Sequence, residues 1–212
     1  MTDDLIARLA DDLKPVPANA VPRRLALTAA AGVVLSAVIM AAWLGIRPDL
    51  DIAIGTPNFW VKFGYTLALG LLGVWAASRI ARPGETGSLP LGIGAVVVGV
   101  MGASSAVDYM LALPEDRRAL VMGGSALVCP FYILALSVPL LLAAMAFMRR
   151  MAPTNLALGG LAAGLVAGAL GAWVYSFHCT EQGLPFLALW YSLGIVAVMA
   201  TGAIAGRWAL RW

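Results

Sequence analysis

The residues best suited to chemistry in this 212-residue chain are its two cysteines, Cys129 and Cys179, and its single histidine, His178. His178 and Cys179 are neighbours in the polar stretch Ser176-Phe177-His178-Cys179-Thr180-Glu181, which joins two long apolar segments. Cys129, fifty positions earlier, stands near the start of another apolar segment. Cysteine and histidine are soft and intermediate ligands for a thiophilic metal, and two thiols sharing an oxidising compartment can form a lasting disulfide. Two cysteines without C-x-x-C spacing are too few for a disulfide scaffold or a four-cysteine zinc site. A lone cysteine also serves as a small buried hydrophobe, a reading that suits Cys129 better than Cys179 with its polar neighbours. Asp108 is the remaining candidate, an acid within the apolar run Ser104-Ser105-Ala106-Val107-Asp108-Tyr109-Met110. A carboxylate there must face a partner, either in a structural hydrogen bond or beside the cysteines. Cys129, Cys179, His178 and Asp108 thus form the candidate ligand set for a transient thiophilic metal, and no resident cofactor is required.

The elements that position these residues are membrane spans. The chain is 61% hydrophobic and 12% charged, against about a quarter charged in an ordinary globular domain. Six apolar stretches are long enough to cross a bilayer, roughly Leu25–Ile46, Phe59–Ile80, Leu89–Leu113, Leu120–Met148, Thr154–Ser176 and Phe186–Leu210. The expected fold is therefore all-α, a six-helix transmembrane bundle over residues 23–212 preceded by a cytoplasmic segment, residues 1–22. If the spans alternate, Arg8, Lys14, Arg23, Arg24, Arg79, Arg82, Arg149, Arg150, Arg207 and Arg211 share one side. The other side has Arg47, Lys62, Arg117 and Arg118, partly offset by acids. The positive-inside rule then makes both termini cytoplasmic. Cys179 falls on the outer side, and Cys129, counted from Leu120 at 1.5 Å per residue, falls about 13 Å below the outer end of its span.

Leu5, Ile6, Leu9 and Leu13 recur at helical spacing between acidic residues, and Pro15 ends the run. This is a short amphipathic helix that needs a surface to bury its apolar face: the lipid, the rest of this protein, or a partner. Its acidic polar face disfavours anionic lipid. Gly160, Gly164 and Gly168 make a double small-xxx-small repeat that suits close helix packing within the bundle or, alternatively, a homodimer. No phosphate loop, H-E-x-x-H or serine-histidine-aspartate set is present, so an enzyme is not expected. The clustered arginines mark span ends rather than a nucleic-acid surface.

Three blocks together resemble a known family: Asp3-Asp4-Leu5-Ile6-Ala7-Arg8-Leu9 through Leu13-Lys14-Pro15-Val16; Cys129-Pro130-Phe131-Tyr132-Ile133-Leu134 with Pro139; and Cys179-Thr180-Glu181 leading to Pro185-Phe186-Leu187-Ala188-Leu189-Trp190-Tyr191-Ser192-Leu193-Gly194. The chain is similar, over essentially its whole length, to the NrsF-type six-span inner-membrane anti-sigma factors, negative regulators of extracytoplasmic-function (ECF) sigma factors. The resemblance implies that residues 1–15 hold a sigma factor, with Leu5, Ile6, Leu9 and Leu13 as its apolar contacts and Asp3, Asp4, Asp11 and Asp12 meeting basic residues. It also implies that Cys129 and Cys179 sense metal or oxidative stress. The alternatives from other classes are a small thiol-dependent heavy-metal permease using Cys129-Pro130 inside a span, and a quinone-linked disulfide oxidoreductase, which would need a second thiol pair.

Overall fold

The structure, a computed structural model, describes residue 17 and residues 19–82 and 84–211. The amphipathic segment with Asp3, Asp4, Leu5, Ile6, Leu9, Asp11, Asp12 and Leu13 lies outside the described residues. Among those described, every regular element is a helix. Six helices are long and apolar enough to cross a membrane: α1 (Ala20–Trp43), α3 (Pro57–Ile80), α4 (Ser88–Leu111), α6 (Cys129–Met151), α7 (Leu156–Tyr175) and α8 (Leu184–Ala209). Two short helices, α2 (Leu50–Ile54) and α5 (Arg117–Met122), sit in the connections.

The fourth span starts later than its hydropathy predicts. The apolar run from Leu120 is divided at Gly123-Gly124, where Gly123 takes φ +48°, a conformation that glycine adopts without a Cβ penalty. A new helix then begins at Cys129 with Pro130 in its first turn, where proline's missing N–H costs nothing and its fixed φ favours helix. Cys129 is therefore the first residue of its helix and not a residue about 13 Å down it.

The bundle is built around α7, which packs against α8, α3, α6 and α1. Glycine and alanine make this approach close: a Cβ on Gly160 would fall on the Gly202 carbonyl oxygen of α8, and one on Gly164 on the Met199 main chain. Gly70 and Gly73 of α3 likewise meet Leu170 and Val166 of α7. The Gly160-Gly164-Gly168 face is thus occupied by α8 of the same chain, which removes it as a homodimer surface. Helix α1 crosses α6 near Pro139, with Gly32 against Leu140. Proline interrupts the helical ladder there, and nearby the Ser36 hydroxyl donates to the Leu136 carbonyl at 2.8 Å. Helix α4 is peripheral: it packs chiefly on α3 and exposes Val96, Val100 and Val107. Asp108 lies half-buried in its last turn.

Connections 44–56, 112–128 and 176–183 meet at one end of the bundle, joined by hydrogen bonds. The Arg47 N–H donates to the Phe177 carbonyl at 3.0 Å, Gly124 N–H to Glu181 at 2.7 Å, and Trp190 Nε1 to the Val121 carbonyl at 2.8 Å. Connections 81–87 and 152–155 lie at the other end, where Pro153, Met148 and buried Leu210 close around Gly159.

A buried thiol centre at one end of the bundle

Cys129 enters the centre from the first turn of α6, its N–H bonded to the Ser125 carbonyl at 2.9 Å. Cys179 follows the end of α7, its N–H bonded to the Tyr175 carbonyl at 3.0 Å. Both are free thiols, and both belong to one buried cluster with Tyr175, Phe186 and Tyr191. Cys179 is only 3% exposed, so its polar sequence neighbours do not make it a surface residue. It shares its buried cluster with Tyr175 and Tyr191, whose ring centroids are 5.7 Å apart.

Around the thiols stand groups that composition alone concealed. Lys62, one and a half turns into α3, is 2% exposed. Its ammonium donates to the main-chain carbonyls of Cys179, at 3.0 Å, and of Glu181, and lies 5.6 Å from the Tyr191 ring centroid, within cation–π range. Arg47 is 3% exposed; its Nη1 shares the Cys179 carbonyl at 3.1 Å, while Nε and Nη2 donate to Asp49 at 2.8 and 2.7 Å. The Asp49 hydrogen bonds raise the pKa of Arg47 against the opposing effect of burial, and the guanidinium holds the Asp49 carboxyl down to about 2.

The hydroxyl of Tyr191 is buried and has no hydrogen-bond partner among the described residues. Tyr191 closes a single π-helical turn, Leu187–Tyr191, in α8. That extra residue per turn directs both Leu187 and Tyr191 into the core, and such turns are frequent at functional sites. A pocket of about 260 Å³ opens beside the centre, lined among others by Arg47, Ser125, Tyr175, His178 and Cys179.

The residues expected from sequence separate here. Cys129 and Cys179 are brought together. His178 is beside them in the chain, but its Nδ1 bonds the Gly45 carbonyl at 2.9 Å and its ring packs on Tyr132 and Tyr175. Asp108 takes no part in the hydrogen bonds that join the three connections. Among the described residues no three His, Cys, Asp or Glu side chains gather as a metal site. Cys129-Pro130 starts a span instead of interrupting one, which removes the geometric basis of the permease alternative. Lys62 was the missed residue: a lysine within an apolar span is as conspicuous as Asp108, but near a span end it reads as a flanking charge.

The chain is similar to known proteins along its length. A family described as "Negative regulator of sigma F", NrsF, matches residues 9–212. The chain is 45% identical over 213 residues to the anti-sigma-F factor NrsF of Caulobacter vibrioides (strain NA1000 / CB15N), covering 100% of this chain and 99% of that protein. It is 40% identical over 212 residues to the probable anti-sigma-F factor NrsF of Azospira oryzae (strain ATCC BAA-33 / DSM 13638 / PS), again covering 100% and 99%. No solved structure is detectably similar to it. A likeness that runs the length of both relatives, on a bundle of six span-length helices, makes this chain a member of the NrsF family of negative regulators, which are regulatory rather than catalytic proteins.

Proposed function

We propose that this protein is an inner-membrane anti-sigma factor that holds an ECF sigma factor through residues 1–15 and releases it when a soft metal ion or an oxidant engages Cys129 and Cys179 at the outer face. The observation that carries the reading is the meeting of the chain's two cysteines, fifty residues apart, in one buried cluster at one end of the bundle. The names of the two relatives supply the sigma factor as partner.

Charge supports the orientation. Arg47 and Lys62 are buried in the thiol centre, so the accessible cations at that end are Arg117 and Arg118. The opposite end carries Arg23, Arg24, Arg79, Arg82, Arg149, Arg150, Arg207 and Arg211. That asymmetry is stronger than the sequence count suggested, and under the positive-inside rule it supports the arginine-rich end as the cytoplasmic one. Lipid surrounds the exposed faces of α1 and α4.

Engaging the thiols changes the centre in one of two ways. A soft divalent ion bound by both as thiolates displaces two protons, whereas an oxidant takes two electrons and two protons and leaves a disulfide. Either draws the starts of α6 and of the connection to α8 toward each other. A hundredfold change in sigma-factor affinity requires the input to distinguish the two states by about 2.7 kcal/mol. Sigma-dependent transcription in Cys129→Ser and Cys179→Ser strains under cadmium, chromate or peroxide tests the reading. Loss of the response in either variant is expected, and wild-type responses to every stress in both would refute it.

A further inference from the structure

Lys62 has an unusual set of partners for a buried cation. At 2% exposure an ammonium needs compensation for lost water, and removing its partners leaves a costly orphan. No carboxylate forms a salt bridge with it among the described residues: the ion pairs are Arg47–Asp49, Arg79–Glu85 and Arg82–Glu85. Its compensation comes from main-chain carbonyls of the thiol-bearing connection, those of Cys179 and Glu181, and from the Tyr191 ring. The position of residues 179–181 and the solvation of Lys62 are therefore interdependent. If that connection shifts when the thiols react, the ammonium loses the groups that keep it buried.

Arg47 shares the Cys179 carbonyl, but it is paired with Asp49 and sits in a connection, so it has a second support and no helix to move. Lys62 lies in α3, which runs to Arg79 and Ile80 at the other end. Along the way Gly70 and Gly73 leave α3 in backbone-close contact with α7, and interfaces packed this tightly shift between discrete arrangements rather than deforming smoothly.

Resting on the thiol reading above, we propose that Lys62 is the positioning residue that couples the state of the Cys129–Cys179 pair to α3: engagement of the thiols withdraws the Cys179 and Glu181 carbonyls from the ammonium, and α3 moves in response.

The chain has two lysines, Lys14 and Lys62, which makes amine labelling of the full-length protein in native membranes easy to assign by peptide mass spectrometry. With cadmium ion as the probe, labelling of Lys62 should rise by about fivefold in wild type and stay unchanged in the Cys129→Ser/Cys179→Ser variant. Alkylation of Cys179 is followed in the same membranes. If cadmium protects Cys179 while Lys62 labelling does not change, the coupling is wrong and the thiol reading stands. If cadmium protects neither cysteine and leaves Lys62 unchanged, both fall. In cells, Lys62→Met should raise unstressed sigma-dependent transcription by about tenfold at normal membrane abundance and abolish the cadmium response, while Lys62→Arg, which keeps the donors, restores both. Wild-type repression and response in Lys62→Met would overturn the proposal, and if that variant is lost from the membrane, the wild-type labelling result decides.

Discussion

The carboxylate of Glu181 accepts a hydrogen bond from the Gly124 N–H at 2.7 Å and one from the Ser125 hydroxyl at 3.2 Å. It thereby ties the connection that carries Cys179 to the turn that precedes Cys129. A Cβ on Gly123 would fall on this carboxylate, so the glycine is needed for space as well as for its positive φ. Glu181→Ala should cost about 0.5–1.5 kcal/mol, since it removes both hydrogen bonds while water can reach the exposed Gly124 N–H. Thermal unfolding of the detergent-solubilised protein measures it. Gly123→Ala should show a comparable loss through steric clash and backbone strain.

The glycines of the spans divide into two kinds, and substitution should separate them. Gly160→Ala puts a methyl on the Gly202 carbonyl oxygen and should lower membrane abundance severely, beyond the roughly 1–3 kcal/mol of ordinary overpacking. Gly99 of α4 has nothing within 4 Å of its missing side chain, so Gly99→Ala should be neutral or stabilising by up to about 1 kcal/mol.

The Arg47–Asp49 pair predicts a pH dependence with a definite sign. The Asp49 carboxyl is lowered from 3.8 to about 2, chiefly by its hydrogen bonds from Arg47. A lowered acid contributes stability that is complete above its unfolded value and is lost as pH falls through its folded one. Asp49→Asn should therefore be less stable than wild type at neutral pH by a small, solvent-screened amount. The gap should hold down to about pH 4 and close toward pH 2. Unfolding midpoints of both proteins across that range provide the check.

At the opposite end of the proposed signal, Leu9→Asp should free the sigma factor without removing the protein from the membrane. A charge in the middle of the apolar stripe Leu5, Ile6, Leu9 and Leu13 removes part of a burial worth on the order of 6–10 kcal/mol before ordering costs. Co-purification with the sigma factor and membrane abundance are the two readings. Unchanged repression would contradict the role given to the segment.

Much of this architecture was legible from hydropathy alone. Six apolar runs and short connections gave six span-length helices because a bilayer requires each backbone group to be satisfied within its own segment. Where the sequence misled, the cause was local. Leu120 to Leu127 is apolar enough to extend a span, but Gly123-Gly124 breaks it, and that moved Cys129 from depth to a helix start. His178-Cys179-Thr180-Glu181 reads as an exposed loop; Cys179 is in fact buried in a cluster with Tyr175 and Tyr191, from α7 and α8, and its carbonyl accepts from cations of two further segments. Those cations were counted by sign, as orientation markers, and nothing in one sequence discloses that Lys62 meets main-chain carbonyls. The Gly160-Gly164-Gly168 repeat correctly marks a close helix contact, while the identity of its partner, α8, is a matter of topology.

The central claim is that the two cysteines act as one site, and alkylation of full-length protein in native membranes tests it most directly. Each cysteine is labelled with a membrane-permeant maleimide with and without cadmium ion, in wild type and in Cys129→Ser. Cadmium should protect both cysteines together in wild type, and Cys179 should lose its protection in Cys129→Ser. Equal protection of Cys179 with and without Cys129 would contradict the account.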